Sequence, residues 1–384
     1  MNRPSSRAPH AKSRPPSLSV CLVLNERGWI LEKMARRLAE CLPRWNVRAT
    51  ISTRPSEAVD VNHWMIYYDL KAESSARTSL AITHVDRPAK LHVLKQRLRH
   101  ADVGICMSRM TMDQLARSGI PREKLCYILP AHDGDVRARR IVLGLTTQIR
   151  PDRAKREHVL VKCARSMRLD AFHFSIIGPR WEPIIPMLEA SGATVDYSPG
   201  AGDNTRHRAM VLRRLATFDY YLYMGWDEGS MGLLDALAAG IPTIVTPQGF
   251  HLDIEDGITY PITDADDLCA VLAGLARERQ GRIKGVARLT WDQYARNHAL
   301  VWRALVNHRT SDWNALLHKD ESEAPRSLSA GGGRGPRVGM LTYLQGGFRP
   351  ILTDVYLMFR FYAAGLLRVV GLGRPGKRTT ETVG

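Results

Sequence analysis

The sequence lacks the patterns that would mark cysteine chemistry, secretion or dinucleotide binding. Its six cysteines (Cys21, Cys41, Cys106, Cys126, Cys163 and Cys269) are scattered, with no CxxC and no Cys/His group at metal-ligand spacing. That excludes a zinc-ribbon or disulfide scaffold and reads as free thiols in a reducing compartment. The first apolar run, Val20 to Leu24, is too short and too late for a signal peptide. No GxGxxG follows the first strand-like segment, because Asn25-Glu26-Arg27-Gly28 offers a single glycine. Acidic residues are scarce at both ends: residues 1–16 hold four Lys/Arg and no acid, and from Arg326 onward nine Lys/Arg face only Asp354 and Glu381.

What is present suits a globular α/β protein. A chain of 384 residues with 44% hydrophobic and 24% charged residues is too long for one ordinary core and suits two domains with tails. The net charge is +17, and 11 of those 17 charges sit on the termini. The excess is therefore expected to serve a peripheral contact rather than a basic catalytic groove, and nucleic acid is not an expected partner. The expected location is cytoplasmic, with a peripheral place on the inner face of a membrane left open.

Alternating segments follow the arm 1–16. Buried-type strands are predicted at 19–24, 47–52, 64–68, 81–84, 103–107 and 126–129, with helices over 29–42, 90–100 and 111–118. In the helix over 29–42, Ile30, Met34, Leu38 and Cys41 share a face. A second series runs strand 141–145, helix 157–166, strand 172–177, helix 184–191, strand 194–197, helix 207–216 and strand 220–224. Strand and helix alternating in this way predict parallel, doubly wound sheets. The expected division is 1–16, 17–138, 139–318 and 319–384.

Gly225 to Phe250, GWDEGSMGLLDALAAGIPTIVTPQGF, is the stretch with the most chemistry. A small-residue loop (Gly229, Ser230, Gly232) opens a helix expected to bury Met231, Leu234 and Leu237. Gly240 stops it before the strand Thr243 to Val245. The unpaired amides of a helix N-terminus attract a phosphate, and a carboxylate accepts hydrogen bonds from a vicinal diol. Asp227, Glu228 and Asp235 are thus candidate ligands of diphosphate-linked sugar or ribose, or more plainly a helix cap and a solvated face.

Two segments resemble a known family. ADVGICMSRMTMDQLARSGIPREKLCYILPAHD looks like the end of the N-terminal domain of a GT-B glycosyltransferase. FDYYLYMGWDEGSMGLLDALAAGIPTIVTPQG resembles the donor-site signature of retaining GT-B enzymes of family 4 (group 1), two glutamates with seven residues between them followed by A-M-A-C-G-x-P-V. Both acids are Asp here. The resemblance implies a GT-B fold, two Rossmann-like domains facing a cleft, with the acceptor held by the first and a nucleotide-diphosphate sugar by the second. It implies that Asp227 or Glu228 contacts the donor sugar and Asp235 the ribose. In GLTTQIRPDRAKRE it implies Lys155 and Arg150 at the diphosphate, with Gln148 or Arg153 as other alignments of the arginine.

His84, at a strand tip, is a candidate for the donor sugar or acceptor, or a structural histidine. Gly178, which opens GPRW, is expected to line the nucleotide cleft, with Trp181 near the base or simply packed. Gly249, after the strand that follows the signature, brings backbone close to phosphate or sugar. LTWDQYARNHALVWRALV looks like the terminal GT-B helix that crosses back to the first domain. The expected acceptor is a glycan or lipid-linked intermediate. No metal or other cofactor is expected, since the triplets Asp133-Gly134-Asp135 and Asp264-Ala265-Asp266 fall in predicted loops. The competing readings are a sugar-nucleotide epimerase or phosphorylase and a sugar-nucleotide-binding scaffold. Beyond the linker 321–337, residues 351–372 are apolar but carry Asp354, Arg360 and Arg368. With the flanking basic residues of 349–378 they read as a membrane-surface segment, a partner-binding helix or a span.

Overall fold

A computed structural model describes residues 17–70, 74–200, 203–308 and 312–318. The basic arm, the linker and the apolar tail lie outside these residues.

The first half is built from β1 (Leu18–Val23), α1 (Ile30–Cys41), β2 (Val47–Ser52), β3 (Val61–Trp64), β4 (Arg77–Ile82), α2 (Pro88–Arg97), β5 (Val103–Cys106), α3 (Arg109–Arg117) and β6 (Leu125–Tyr127). Its strands form one parallel six-stranded sheet in the order β2-β1-β3-β4-β5-β6. The second half comprises β7 (Ile141–Leu145), α4 (Glu157–Ser166), β8 (Phe172–Ile177), α5 (Ile185–Ala190), β9 (Thr194–Ser198), α6 (Asn204–Leu215), β10 (Tyr220–Tyr223), α7 (Met231–Ala238), β11 (Thr243–Val245), β12 (Tyr260–Pro261) and α8 (Ala265–Val286). These strands make a second parallel sheet, ordered β12-β11-β10-β7-β8-β9. The chain ends in α9 (Trp291–Val306) and α10 (Trp313–Leu317).

Both sheets are doubly wound because their central strands are apolar on both faces. In β1 every residue but Ser19 is buried, the near-continuous pattern that demands helices above and below. One face of the first sheet packs on α1, α9 and α10 and the other on α2 and α3. In the second sheet α4, α5 and α8 cover one face, and α6 and α7 the other. Although α9 follows the second sheet in sequence, it packs on the first: Trp302 Nε1 donates to Ser79 Oγ (2.9 Å) and Trp45 Nε1 to the Asp292 carbonyl (3.2 Å).

Several local expectations change. The buried stripe of α1 is Leu31, Met34, Ala35 and Leu38, whereas Ile30, as the first helical residue, is 58% exposed. The strand expected at 64–68 is β3, which starts three residues earlier, at Val61. Its polar Asn62 and His63 are fully buried, and the Asn62 amide is satisfied by the backbone of Ser56 at 2.9 Å in both directions. The strand expected at 81–84 is β4, which ends before His84. The helix α8 has no counterpart in the sequence reading. Asp264 caps it, accepting from the amides of Asp266 (2.8 Å) and Asp267 (3.0 Å), so that triplet is a helix start. Asp133 pairs with Lys33 and Arg37 and accepts from Trp291 Nε1 at 2.9 Å.

In α7 the expected face is reversed. Leu233 and Ala236 are buried, while Met231 is 71% and Leu234 40% exposed. The cause is close packing: a Cβ on Gly232 would lie 2.0 Å from Thr146 Oγ1 and 2.5 Å from Tyr221 Oη. The face bearing the smallest side chains is the one that reaches the sheet.

Candidate functional site

The topology itself marks a site. From β7 the chain winds outward to β8 and β9, then returns to the other side of β7 as β10. The loops leaving the carboxyl ends of β7 and β10 therefore part to opposite faces, and the crevice at such a switch point is where open α/β sheets bind ligands. Here the two loops are tied by a hydrogen bond from the Trp226 amide to the Ala154 carbonyl (2.6 Å). Arg156 at the end of the first loop lies over the Trp226 ring, 5.1 Å from its centroid.

Three side chains meet between these loops. Lys155 Nζ donates to the Asp227 carboxylate and to Tyr223 Oη (2.9 Å), and Tyr223 Oη donates to the other Asp227 oxygen. The Gly229 amide adds a longer bond to Asp227 at 3.3 Å. The side chains of Lys155 and Asp227 are only 14% and 27% exposed, so the charges are largely out of water. Burial pushes the Asp227 carboxyl upward, but the hydrogen bonds from Lys155 and Tyr223 outweigh it and hold the group below the usual carboxylate range. Burial, followed by the Asp227 carboxylate, raises the Tyr223 phenol, which stays protonated as a donor. The sequence reading missed Tyr223; the signal was the spacing of Tyr221 and Tyr223, which puts both on one face of β10.

The start of α7 is pinned from three strands. Ser230, its N-cap, turns its hydroxyl to Tyr221 Oη (2.7 Å), itself 2.9 Å from Thr146 Oγ1, so no side chain caps the helix. His251 Nε2 accepts from the Ser230 amide (3.0 Å), which leaves Nδ1 to donate to the Thr246 carbonyl (3.1 Å) and defines a neutral tautomer. Gln248 donates to the carbonyls of Gly225 (2.8 Å) and Asp227 (2.6 Å), fixing the loop from the β11 side. Gly249 takes φ +51°, and a Cβ there would sit 2.3 Å from the Glu228 carbonyl oxygen. Only glycine allows that approach.

The other candidates are distributed unevenly. Glu228 is exposed, and its role in the fold is its carbonyl, which accepts from the Phe250 amide at 3.2 Å. Asp235, in the second turn of α7, is gripped by Arg208 of α6. Arg150 is exposed and turned to Asp152 at 3.0 Å. Gly178 and Trp181 are structural neighbours of the β7 loop: a Cβ on Gly178 would meet the Thr147 carbonyl at 2.3 Å, and the fully buried Trp181 donates to it at 2.7 Å. Met231 and Gly229 flank the N-cap, Met231 with its side chain in solvent. His84 lies on the other sheet, exposed just after β4.

A basic group and an acid held side by side next to an uncapped helix N-terminus can bind an anion and polar hydroxyls together. Among the described residues, no group of three or more His, Cys, Asp or Glu side chains is placed to hold a metal ion, and no helix is long and apolar enough to cross a membrane.

No family model and no curated protein matches the sequence. Among solved structures, Anabaena Alr3699/HepE in complex with UDP-glucose is similar at 10% identity and TM-score 0.29, over 80% of this chain and 100% of that one. Sucrose-phosphate synthase from Thermosynechococcus elongatus gives 11% identity and TM-score 0.30 over 80% and 100%. The lipopolysaccharide outer core galactosyltransferase WaaB, in its apo form, gives 11% and 0.29 over 76% and 99%. At these scores the chemistry rests on the site's own geometry.

Proposed function

We propose that the protein is a glycosyltransferase of GT-B architecture that moves a sugar from a nucleotide-diphosphate sugar to a glycan or lipid-linked acceptor, with retention at the anomeric carbon. The observation that carries this reading is the meeting of Lys155, Asp227 and the start of α7 at the switch point of the second sheet. In this reading the diphosphate lies at the α7 N-terminus against Lys155, with Arg150 swinging in from solvent. Asp227 accepts from donor-sugar hydroxyls, and Asp235 accepts from the ribose diol. The acceptor oxygen replaces the diphosphate at the anomeric carbon, and the charge growing on the departing nucleotide is stabilised by Lys155 and the helix end. His84, at the carboxyl edge of the first sheet, belongs to the acceptor side. The family 4 assignment rests on the acid spacing and the AAGIP segment.

A binding-only scaffold is the second reading, favoured by one observation: both acids are already engaged by cations of the chain, Lys155 and Arg208. Incubation with a panel of nucleotide sugars separates the two. The enzyme reading expects release of nucleoside diphosphate that is abolished in Lys155→Ala and Asp227→Ala. Binding with no turnover on any acceptor supports the scaffold, and turnover unchanged in both variants removes this site from the chemistry.

A further inference from the structure

The geometry points to Arg208 as an exchangeable lock on Asp235 that a ribose diol must displace, so that a ligand carrying a vicinal diol beside its phosphates binds at the expense of the Arg208–Asp235 pair. This deepens the donor-site reading above and rests on it.

Arg208 comes from α6, an element that supplies neither of the switch-point loops. Its Nη2 donates to Asp235 Oδ1 at 2.8 Å and its Nη1 to Oδ2. A fork in this form engages both carboxylate oxygens in the plane where a pair of neighbouring hydroxyls would bind. A diol that engages both oxygens on that side therefore competes with the fork for the same lone pairs.

The two ion pairs of the site differ in how they can open. In the first, Lys155 and Asp227 are 14% and 27% exposed and share the buried Tyr223 hydroxyl. Separating them without replacement strands two charges out of water. In the second, Arg208 is 55% exposed while Asp235 is 23% exposed. The guanidinium can return to solvent at small cost, whereas the carboxylate needs new donors. Two ribose hydroxyls are two such donors, at the spacing of one carboxylate. The exchange is accordingly one-sided: the arginine leaves and the acid stays.

Binding of uridine, adenosine and guanosine diphosphates, and of their 2′,3′-dideoxy counterparts, measured by calorimetry on the full chain tests the lock. With the fork removed in Arg208→Ala, the ribonucleotide that binds should tighten by about three- to fivefold, the strength of a half-exposed pair. Its dideoxy counterpart, which has nothing to offer Asp235, should be unchanged. Arg208→Lys, which keeps the charge without the fork, should fall between wild type and Ala. Equal tightening of both nucleotide forms, or weakening of both, overturns the lock; the second result makes Arg208 a phosphate ligand. If the wild-type protein binds no nucleoside diphosphate at all, the donor-site reading itself has failed and the lock falls with it.

Discussion

The two halves share one architecture and differ in what they place at the same topological position. Each sheet has a switch point, between β1 and β3 in the first and between β7 and β10 in the second. At the first, the loop leaving β1 sets a half-buried acid against an arginine that stays in water, Glu32 at 19% and Arg36 at 66% exposed. Glu32 accepts from the Gly28 amide (2.6 Å) and from Arg36 Nε (3.0 Å), and the neighbouring Trp29 is 71% exposed. At the second, a lysine and an aspartate are pressed together beneath their loops. Gly28 has φ +81° with open space around its Cα, whereas Gly249 is crowded by the Glu228 backbone. Equal folds thus do not make equal sites; an ion pair with both partners drawn out of water and an enforced close approach single out the second half. The first half keeps its buried polar groups in its interior instead. His63 of β3 and His298 of α9 stand with ring centroids 5.3 Å apart, both fully buried.

The largest effect that could break this comparison is on catalysis. Lys155→Ala should lower donor turnover by about 100-fold or more, the scale of losing one preorganised charge donor, while Arg36→Ala at the first switch point should leave the rate unchanged. Initial rates on the donor found in the nucleotide-sugar panel decide it. Similar rates for the two variants would mean that burial of the pair has no catalytic meaning.

Backbone strain gives the next contrast. An alanine at Gly28 faces only the positive φ, a cost of roughly 1 kcal/mol. Gly249→Ala adds a collision with a backbone carbonyl that cannot rotate away, worth a further 1–3 kcal/mol or so. Urea midpoints of the two single variants measure the gap, and equal midpoints would show that the loop around Glu228 can relax.

Much of the fold was legible in the sequence, and the reasons for the misses are physical. Strands such as 141–145 and 172–177 were readable to the residue because buried parallel strands are unbroken apolar runs. The faces of α1 and α7 were not. Apolar residues surround α7, and the choice between Leu233 and Met231 is made by how closely Gly232 lets the helix approach Tyr221. The long α8 was hidden by Gly274, Gly281 and Gly285 and by its charged end, although its buried Ala265, Leu268, Leu272 and Leu275 keep helical spacing. In the candidate site, Asp227 and Asp235 came from one segment and Lys155 from another, each through its resemblance to the family pattern. His251, Gln248 and Arg208 depend on which distant segments meet, which no local pattern encodes.

A smaller effect concerns the buried histidines. Burial lowers His298 to about 4 from an ordinary 6.5, and burial and then the His298 charge lower His63 well below that value. Their neighbours offer no counter-charge: Tyr294, whose carbonyl accepts from His298 Nδ1, has a phenol raised by burial, and Ser79 and Trp302 are neutral. Both imidazoles stay neutral in the fold, while the unfolded chain takes up protons below about 6.5. Their contribution to stability is therefore complete above that pH and declines toward 4, by roughly 1.4 kcal/mol per pH unit for each histidine. Urea unfolding at pH 7, 6 and 5 should show this slope, and His298→Leu should reduce it. An unchanged slope in the variant would place the acid sensitivity elsewhere.

The finest test sets the two carboxylates against each other by their titration. Glu32 is held below the usual range first by the Gly28 amide and only then by Arg36. For Asp227, burial pushes the group up, and the leading counterweight is Lys155. Carboxyl NMR should therefore find Glu32 still low in Arg36→Ala, because its main partner is backbone. In Lys155→Ala the balance at Asp227 should turn, and its midpoint should rise as desolvation loses its main opponent. If Asp227 stays low there, the Tyr223 hydroxyl and the Gly229 amide alone hold the charge, and the anion site is defined by β10 rather than by the pairing of two loops.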